Sequence, residues 1–466
     1  MRILFLCSEF EGLIKTGGLA DACRGLAASL QQAGHQLTIL LPRYASLYQH
    51  DTVVSHSVYF TLGQQQYGCA VRKLADNELD IWLLEHDDFF RRERPYDDGQ
   101  FGYADNPERF AFFCKAALEW LRQQQLSIDI IHGHDWQTAL TGSFLKQHYQ
   151  PTDFAITPRF VFTIHNGAYQ QPLSSQHYAQ FNLSTSHTGF SMLAEGILSA
   201  DWLTTVSAGY RQELMSEPAA NGLAVLYQQA ELRFSGILNG CDYQQWDPST
   251  DPALTAHYSA SDLTGKAECK RWLRQQYQLA NSKVPLFVAV SRITGQKGFD
   301  FLIPALRQWL AQSNAQVLLV GSGEQHYCQQ LGQLQQQFPL QFRFIEGFNE
   351  PLSHQVEAAG DFFLMPSLFE PCGLNQIYSL RYGTVPVVRL TGGLKDTVLP
   401  WPARNATGIG FTEPNIDSLV AALQQAEQLY RQPRSYKAVQ QRGMQQNFSW
   451  QQAAEQYLQG YKSLCK

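Results

Sequence analysis

Short apolar runs recur along the chain, separated by stretches with the periodicity of helices. Runs of four or five apolar residues between helical stretches are typical of strands buried in a parallel sheet. Sheets of this kind are covered by helices on both faces, so the pattern predicts an α/β protein. In the first half of the chain the runs are residues 3–7, 37–41, 128–131, 160–164 and 203–206.

The second half of the chain repeats this alternation and predicts a second doubly wound lobe. Its runs are residues 286–290, 317–320, 342–345, 362–365 and 385–388. Between the two halves, residues 239–252 read NGCDYQQWDPSTDP, which is rich in Asp, Pro and turn-forming residues. This composition predicts the crossing between lobes, with a first domain over 1–242 and a second over 243–466. The final helical stretch, about 450–464, packs against one of the two lobes, and the sequence leaves open whether it is the first or the second.

A hexapeptide of the form TGGLxD occurs twice, at residues 16–21 and 391–396, and each copy follows an apolar run. After the first copy Leu19, Cys23, Leu26 and Leu30 recur at helical spacing until Gly34. A strand that breaks into paired glycines and then opens a helix presents backbone N–H groups at the positive end of the helix dipole. Both copies therefore predict an anion site, and phosphate is the usual occupant.

Size and charge limit the possible function classes. The chain has 466 residues, 52.7 kDa and 44% hydrophobic content, which suits two packed domains. Its net charge of −6 and pI near 6.1 argue against nucleic acid or an anionic membrane as partner, because proteins that bind these usually carry a basic excess.

The chain shows no sign of export or of membrane insertion. The opening MRILFLCSEF has an apolar run closed by Glu9, which is shorter than the core of a signal peptide and is interpreted as a strand. No stretch reaches the ~18 apolar residues of a membrane span. Nine cysteines without CxxC spacing indicate reduced thiols, so we expect a cytoplasmic protein.

Polar residues cluster directly after the predicted strands, where open α/β sheets bind their ligands. Two of them, Arg292 and Lys297, suit a diphosphate, since a guanidinium grips two oxygens and an ammonium acts as a mobile point charge. The first-lobe candidates are Lys15, Gly17, Gly18, Asp21, His132, His134, Asp135, Trp136, His165 and Asn166. The second-lobe candidates are Ser291, Arg292, Lys297, Gly321, Gly323, Glu370, Gly392 and Gly393.

Two other kinds of site are disfavoured by the sequence. The segment HGHDW, residues 132–136, has histidines two apart beside Asp135, but no HExxH or cysteine pair supplies the remaining ligands of a zinc site. Its histidines are interpreted as core and cleft-wall hydrogen-bonding groups. A nucleotide-binding dehydrogenase is disfavoured because GxGxxG is absent from the first strand-to-helix turn.

Seven segments, in the same order along nearly the whole chain, resemble one family, the bacterial glycogen synthases and plant starch synthases. They are KTGGLAD, HGHDW, FTIHN, ILNGCDYQQWDP, SRITGQKG, PSLFEPCGLNQIYSLRYGTVPVV and TGGLKDTV. These enzymes are retaining glycosyltransferases. The resemblance implies the α/β GT-B fold, two doubly wound Rossmann-like lobes with a deep cleft between them.

The resemblance also implies roles for particular residues. His165 would contact the donor glucose at the reacting centre, and Glu370 would hold the glucose hydroxyls. Lys15 would lie near the sugar and phosphates, with Gly17 and Gly18 closing over them, while Arg292 and Lys297 would neutralise the leaving diphosphate. Further substrate-binding positions implied are Asp21, Tyr96, Asp135, Trp136, Asn166, Asn239, Lys270, Phe348, Cys372, Gly373, Leu374, Gly392 and Gly393.

The implied reaction moves glucose from ADP-glucose to the non-reducing 4-hydroxyl of an α-1,4-glucan such as glycogen, with retention and release of ADP. Fixed cations at the diphosphate stabilise the negative charge that develops there, so neither metal nor cofactor is expected. Retaining glycosidases use a carboxylate nucleophile. The resemblance points instead to front-face attack, and the residues alone leave both routes open.

The chain departs from the family at two positions. Gln137 follows HDW where the family commonly has His, and Phe348 stands where a Tyr is common. Many related transferases carry a second glutamate eight residues after the first, and this chain has Tyr378 there, as this family does. Preference for ADP over UDP is therefore open. A nucleotide-sugar epimerase on the same fold and a non-catalytic glucan-binding protein are the alternative functions.

Overall fold

The chain folds into two compact units, each organised around one sheet. The computed structural model describes residues 1–75, 78–184, 191–280, 282–347 and 349–466. Unit 1 comprises Met1–Gly240 and Trp450–Lys466, and unit 2 comprises Cys241–Ser449. The boundary thus lies close to the one expected after residue 242. The end of the expected second domain belongs to unit 1.

Unit 1 contains a nine-stranded sheet within the described residues, in the order β3-β4-β5-β2-β1-β6-β7-β8-β9. Neighbouring strands run parallel, except that β4 is antiparallel to both β3 and β5. All five predicted runs are strands. The strands are β1 Arg2–Leu6, β2 Gln36–Pro42, β3 Thr52–Leu62, β4 Gln65–Leu74, β5 Asp80–Glu85, β6 Ile130–His134, β7 Arg159–Ile164, β8 Trp202–Thr205 and β9 Phe234–Gly236.

Helices of unit 1 connect these strands, and the predicted apolar stripe of the first helix is buried at Leu19, Cys23, Leu26 and Leu30. An apolar stripe at this spacing stabilises a helix by packing it against the sheet. The helices are α1 Gly18–Gln32, α2 Asp87–Phe90, α3 Asn106–Gln123, α4 Leu140–His148, α5 Ser175–Phe181, α6 Met192–Ser199, α7 Ala208–Leu214 and α8 Ala224–Gln229.

Unit 2 contains a parallel sheet of six strands within its described residues, in the order β12-β11-β10-β13-β14-β15. Apolar residues on β10 alternate between two core clusters, with Phe287 in one and Val288 in the other, so both faces of the sheet are covered. The strands are β10 Leu286–Val290, β11 Gln316–Gly321, β12 Phe342–Glu346, β13 Phe362–Met365, β14 Val385–Arg389 and β15 Ile409–Phe411. The α/β fold prediction is confirmed.

The helices of unit 2 flank this sheet. They are α9 Thr264–Gln276, α10 Phe299–Leu310, α11 Gln325–Gln337, α12 Glu350–Ala359, α13 Asn375–Arg381, α14 Gly392–Thr397, α15 Ile416–Tyr430 and α16 Pro433–Met444. Among the described residues, no helix of either unit is long and apolar enough to cross a membrane.

The last helix, α17 Trp450–Leu464, packs in unit 1. Its first residue lies against two glycines: an added Cβ on Gly25 would lie 2.0 Å from the indole nitrogen of Trp450, and one on Gly240 would lie 2.5 Å from its backbone. Further along the helix, the Tyr461 hydroxyl is 2.7 Å from Nδ1 of His132 on β6. The helix therefore completes the core of unit 1, although the chain reaches it only after crossing unit 2.

Candidate active site

The first glycine turn is occupied by a carboxylate of the same chain. Glu9, shortly after β1, accepts hydrogen bonds from the backbone N–H groups of Thr16 and of Gly17, the latter at 3.1 Å. It also accepts the hydroxyls of Thr16 at 2.6 Å and Tyr96 at 2.7 Å. The prediction that these N–H groups are available to a ligand is therefore wrong for Thr16 and Gly17. A buried acidic side chain takes the place expected for an anion.

Lys15 lies at the surface of this turn. Its ammonium is 2.6 Å from Asp21 and 3.8 Å from Glu11, and about half of its side chain, 49%, is exposed. Burial, with the nearby Asp21 charge, raises the pKa of Glu11. The predicted residues Lys15 and Asp21 are thus brought together as an ion pair at the start of α1.

Asp135 begins the turn after β6, the strand that pairs with β1. Its φ of 57° is in the left-handed region that non-glycine residues rarely adopt. One carboxylate oxygen accepts the backbone N–H of His165 at 2.7 Å and of Asn166 at 3.3 Å. Burial raises the pKa of Asp135 to about 7, a value lowered in part by those two hydrogen bonds. This side chain therefore links the carboxyl ends of β6 and β7.

His165 is neutral at physiological pH. Burial lowers the pKa of His165 to about 3, because charging a desolvated imidazole is unfavourable. Its Nε2 is 3.0 Å from Nδ1 of His134, the second histidine of HGHDW. A neutral imidazole at a strand end can donate or accept a hydrogen bond but supplies no fixed charge.

Aromatic side chains lie close to Glu9, the residue that binds the first glycine turn. The ring of Trp136 lies 4.9 Å from that of Phe110 and 6.0 Å from that of Tyr96. The Tyr96 hydroxyl is also 2.6 Å from the hydroxyl of Ser8. Tyr96 and Trp136 therefore belong to the same neighbourhood as Glu9. Asn239 is buried at the end of unit 1, and no hydrogen bond joins it to these side chains within the described residues.

In unit 2 the central feature is the ion pair of Lys297 and Glu370. The ammonium nitrogen is 2.6 Å from Oε2 of Glu370, and the hydroxyl of Ser367 donates to the same oxygen at 2.9 Å. Lys297 ends a short 3-10 turn after β10, and Glu370 follows β13, the strand paired with β10. The fold thus brings these two predicted residues into direct contact. Ser367 was not predicted, although it lies in the same PSLFEPCGL segment.

The second glycine turn packs directly on the segment that carries Glu370. A Cβ on Gly392, whose φ is 47°, would lie 2.0 Å from the carbonyl oxygen of Glu370. A Cβ on Gly393 would lie 2.2 Å from the carbonyl oxygen of Cys372, and the Gly393 N–H donates to the Glu370 carbonyl at 3.1 Å. The paired glycines are required for this close approach of backbone to backbone.

The rest of that segment is held by one amide side chain. Gln376, in the first turn of α13, donates to the carbonyl oxygens of Cys372 and Gly373, each at 3.0 Å. Gly373 has a φ of 72°, and Leu374 is the residue that precedes the helix. Cys372, Gly373 and Leu374 therefore form a fixed loop next to Glu370.

Arg292 has a different environment from Lys297. It follows β10 and is exposed, and no carboxylate in the described part of the chain pairs with its guanidinium. The cation predicted to grip a diphosphate is thus open to solvent, while its predicted companion is held against Glu370.

Lys270 is not brought to the other predicted site residues. On α9, its ammonium pairs with Asp361 and lies 3.2 Å from the Tyr430 hydroxyl. Asp361 immediately precedes β13 and accepts the N–H of Leu286, the first residue of β10, at 2.7 Å. Lys270 therefore lies at the amino edge of the sheet, whereas Glu370 lies at the carboxyl edge. The expectation that Lys270 belongs to the site is wrong, and the residue forms a structural ion pair instead. Burial lowers the pKa of Lys270.

The position of the second glutamate of related transferases lies in a buried aromatic stack. Tyr378 stacks on Trp246 with ring centroids 3.8 Å apart and an interplanar angle of 3°, and His354 stacks on Trp246 at 3.8 Å. Phe348, predicted near the nucleotide, lies outside the described residues. Over the part of the chain that is described, no group of three or more His, Cys, Asp or Glu side chains is placed to hold a metal ion.

Comparison with known proteins gives full-length matches. Residues 2–229 match the starch synthase catalytic domain family, and residues 270–443 match glycosyl transferases group 1. A glycogen synthase of Aeromonas hydrophila is 40% identical over 99% of this chain and 98% of that protein. One from Vibrio cholerae is also 40% identical, with the same coverage of both chains.

Solved structures agree with these matches. The catalytic domain of starch synthase IV from Arabidopsis thaliana, bound to ADP and acarbose, superposes with a TM-score of 0.89 at 30% identity, over 100% of this chain and 99% of that one. Sucrose-phosphate synthase from Thermosynechococcus elongatus, at 17% identity, superposes with a TM-score of 0.61 over 99% and 98%, and shows the fold alone. The chain therefore belongs to the glycogen and starch synthase family of GT-B glucosyltransferases.

Proposed function

We propose that this enzyme transfers glucose from ADP-glucose to the non-reducing 4-hydroxyl of an α-1,4-glucan, with retention of configuration and release of ADP. The observation that carries the proposal is the Lys297–Glu370 ion pair, which puts a cation and a carboxylate 2.6 Å apart after two neighbouring strands. A cation suits a diphosphate and a carboxylate suits sugar hydroxyls. The names of the relatives, glycogen synthases, favour this reaction over epimerisation or glucan binding without turnover.

Unit 2 supplies the leaving-group end of the reaction. Breaking the anomeric bond builds negative charge on the diphosphate, and exposed Arg292 with Lys297 would stabilise that charge as it develops. Lys297 has three N–H donors, so it can remain bonded to Glu370 while donating to a phosphate oxygen. These two cations perform the charge stabilisation for which other transferases use a metal ion.

Glu370 is suited to holding glucose rather than attacking it. Its Oε2 already accepts hydrogen bonds from Lys297 and Ser367, and such bonds reduce the nucleophilicity of a carboxylate. We therefore propose front-face attack, in which the acceptor hydroxyl bonds to the anomeric carbon on the side that the diphosphate leaves. The departing phosphate oxygen takes the proton of that hydroxyl.

Residues of unit 1 are proposed to add further contacts to the sugar. His165, neutral and fixed by Asp135, is proposed to hydrogen-bond a glucose hydroxyl. Lys15 is proposed to meet the donor from the surface of the first glycine turn, together with the N–H groups from Gly18 onward. Because Glu9 occupies the N–H groups of Thr16 and Gly17, the contribution of this turn to phosphate binding is smaller than its sequence predicts.

The experiment is a polymer-labelling assay. The purified protein is incubated with radiolabelled ADP-glucose or UDP-glucose and glycogen, without added metal, and label in the polymer is counted. We expect incorporation that requires glycogen, and release of the label by an amylase specific for α-1,4 links. Conversion of the nucleotide sugar without glycogen would indicate an epimerase. Binding of glycogen without incorporation would indicate a non-catalytic protein, and either result overturns the proposal.

A further inference from the structure

The second histidine of HGHDW, His134, has no role in the proposed chemistry, yet it contacts the residue that does. It ends β6, is 1% exposed, and its Nδ1 lies 3.0 Å from Nε2 of His165 at the end of the neighbouring strand. Both rings belong to unit 1. Asp135 holds the backbone N–H of His165, whereas His134 contacts its imidazole ring.

A single proton lies in the hydrogen bond between the two rings. Burial lowers the pKa of His134 and of His165 well below the ordinary value, so each ring carries one proton at neutral pH. Either His134 donates from Nδ1 to Nε2 of His165, or His165 donates from Nε2 to Nδ1 of His134. Nδ1 of His165, the nitrogen left for a ligand, is a donor in the first arrangement and an acceptor in the second. This is because each neutral ring has one donor nitrogen and one acceptor nitrogen.

The remaining nitrogen of His134 distinguishes these arrangements. Nε2 of His134 is buried and has no hydrogen-bond partner among the described residues. If His165 were the donor, His134 would carry its proton on that nitrogen, leaving a buried N–H without an acceptor. Orphaned buried N–H groups are rarer than under-satisfied acceptors. The arrangement with the bare lone pair on Nε2 is therefore the favoured one.

We propose that His134 is a positioning residue that donates from Nδ1 to Nε2 of His165 and so holds His165 in the tautomer with its proton on Nδ1. The proposal rests on the proposed function, in which His165 contacts the donor sugar. His165 is half-buried, and its Nδ1 bonds to no residue in the described chain. The held tautomer gives it an N–H that donates to a sugar hydroxyl oxygen.

The ring of His134 is held in place by its neighbours. Its centroid is 4.2 Å from that of His132 and 5.0 Å from that of Phe5. His132 is itself fixed at both ring nitrogens, by the hydroxyls of Thr163 at 2.6 Å and Tyr461 at 2.7 Å. A packed ring cannot flip without displacing these partners, so the donor on His134 points at His165 continuously.

The first test is the tautomer itself, read by nitrogen NMR of the full chain labelled with ¹⁵N-histidine. The signals of His165 are assigned by their loss in His165→Gln. We expect the wild-type Nδ1 of His165 to have the shift of a protonated ring nitrogen and Nε2 that of a bare one. A proton on Nε2 of His165 in the wild-type spectrum overturns the proposal, whatever the activity.

The second test compares two substitutions of His134 of similar size, one with an N–H donor and one without. Asn places an N–H donor near the position of Nδ1, whereas Leu fills similar space without a donor. We expect His134→Leu to lower kcat ~10–100-fold, the usual cost of removing an orienting partner, with KM for ADP-glucose roughly unchanged. His134→Asn should recover most of that loss and keep the proton of His165 on Nδ1. Equal kcat values in the two variants overturn the proposal.

His132→Leu is the matched control. It also replaces a buried imidazole on β6 by Leu, but removes bonds to Thr163 and Tyr461 rather than to His165. We expect a lower melting temperature and a smaller fall in kcat than in His134→Leu, with the proton of His165 kept on Nδ1, because His134 retains its Nδ1 donor. If His165→Gln has normal activity, the proposed function of His165 fails. If it is inactive while His134→Leu leaves the tautomer and kcat unchanged, only the positioning role fails.

Discussion

Replacing Glu370 by Gln should make turnover slower and ADP binding tighter. The substitution keeps the shape of the side chain and its bond to Ser367 but removes the charge that faces Lys297 at 2.6 Å. In the wild type the Lys297 ammonium is shared between Glu370 and the proposed diphosphate. In the variant it has no counter-charge, so its interaction with ADP strengthens while the glucose hydroxyls lose a carboxylate.

The size of both effects follows from the environment of the pair. The side chains of Lys297 and Glu370 are 17% and 9% exposed, so their coupling should fall between that of surface pairs and that of buried pairs, about 1–2 kcal/mol. If ADP gains that energy, its Kd falls ~5–30-fold. Loss of a contact that stabilises the transition state lowers kcat ~10²–10³-fold, as for an oxyanion-hole donor.

The two effects are measured by calorimetric titration with ADP and by the polymer-labelling assay. Glu427→Gln is the matched control, since Glu427 in the same unit accepts hydrogen bonds from Ser313 at 2.6 Å and Trp309 at 3.2 Å, and no cation pairs with it in the described chain. We expect that control to bind ADP and turn over normally. Normal kcat in Glu370→Gln would refute the site assignment. Weaker ADP binding in Glu370→Gln would refute the idea that Lys297 is shared.

Three further substitutions test other parts of the structure. Burial raises the pKa of Asp135 from 3.8 to about 7, so the free energy of unfolding falls as pH rises through that window. Three pKa units at 1.36 kcal/mol each give a loss of up to ~4 kcal/mol. In urea unfolding at a series of pH values, Asp135→Asn should show a correspondingly smaller loss. Lys270→Met should lower the free energy of unfolding by ~3–5 kcal/mol by leaving Asp361 unpaired, with kcat little changed. Gly392→Ala should lower both kcat and the melting temperature, because its Cβ would lie 2.0 Å from a backbone carbonyl oxygen.

Each of these outcomes has a matched comparison. An unchanged pH dependence in Asp135→Asn would mean that this carboxyl titrates normally. Lys270→Met should regain stability when combined with Asp361→Asn, and a large fall in kcat would instead return Lys270 to the active site. Gly332→Ala, inside α11 with nothing within 4 Å of its added Cβ, should be stabilising by ~0.5–1 kcal/mol. A Gly392→Ala variant as active as Gly332→Ala would refute the packing argument.

The ten apolar runs were correct predictions because parallel strands covered on both faces must be apolar throughout. Of the strands missed by the sequence analysis, β5 carries such an apolar run, whereas β3, β9 and β15 have other patterns. In β3, Val58, Phe60 and Leu62 are buried at every second position while Tyr59 is 70% exposed, which is the alternation of a strand with one solvated face. Strands β9 and β15 are three residues long, too short for any periodicity.

The candidate site was predictable where a motif follows a strand, and less so where a partner comes from elsewhere in the chain. Lys297 and Glu370 were each predicted from a motif after a strand, and they meet because β10 and β13 are neighbours in the sheet. Lys270 was misplaced because its helix precedes β10 and ends at the amino edge, a matter of topology that the segment AECKR does not encode. The stack of Trp246, Tyr378 and His354 joins three distant segments, and no local pattern indicates it.

The two TGGLxD turns therefore have different functions despite their shared letters. In the first, Glu9 accepts the N–H groups of Thr16 and Gly17, so a phosphate at this turn would compete with a carboxylate that two hydroxyls also hold. In the second, the N–H of Gly393 donates to the carbonyl oxygen of Glu370, and helix α14 has only six residues. A turn whose N–H groups bond to other groups of the protein contributes to a binding site through its shape rather than through those N–H groups. The proposed diphosphate site therefore depends on side-chain cations, and Arg292, exposed and unpaired within the described chain, should carry more of the binding energy than either glycine pair.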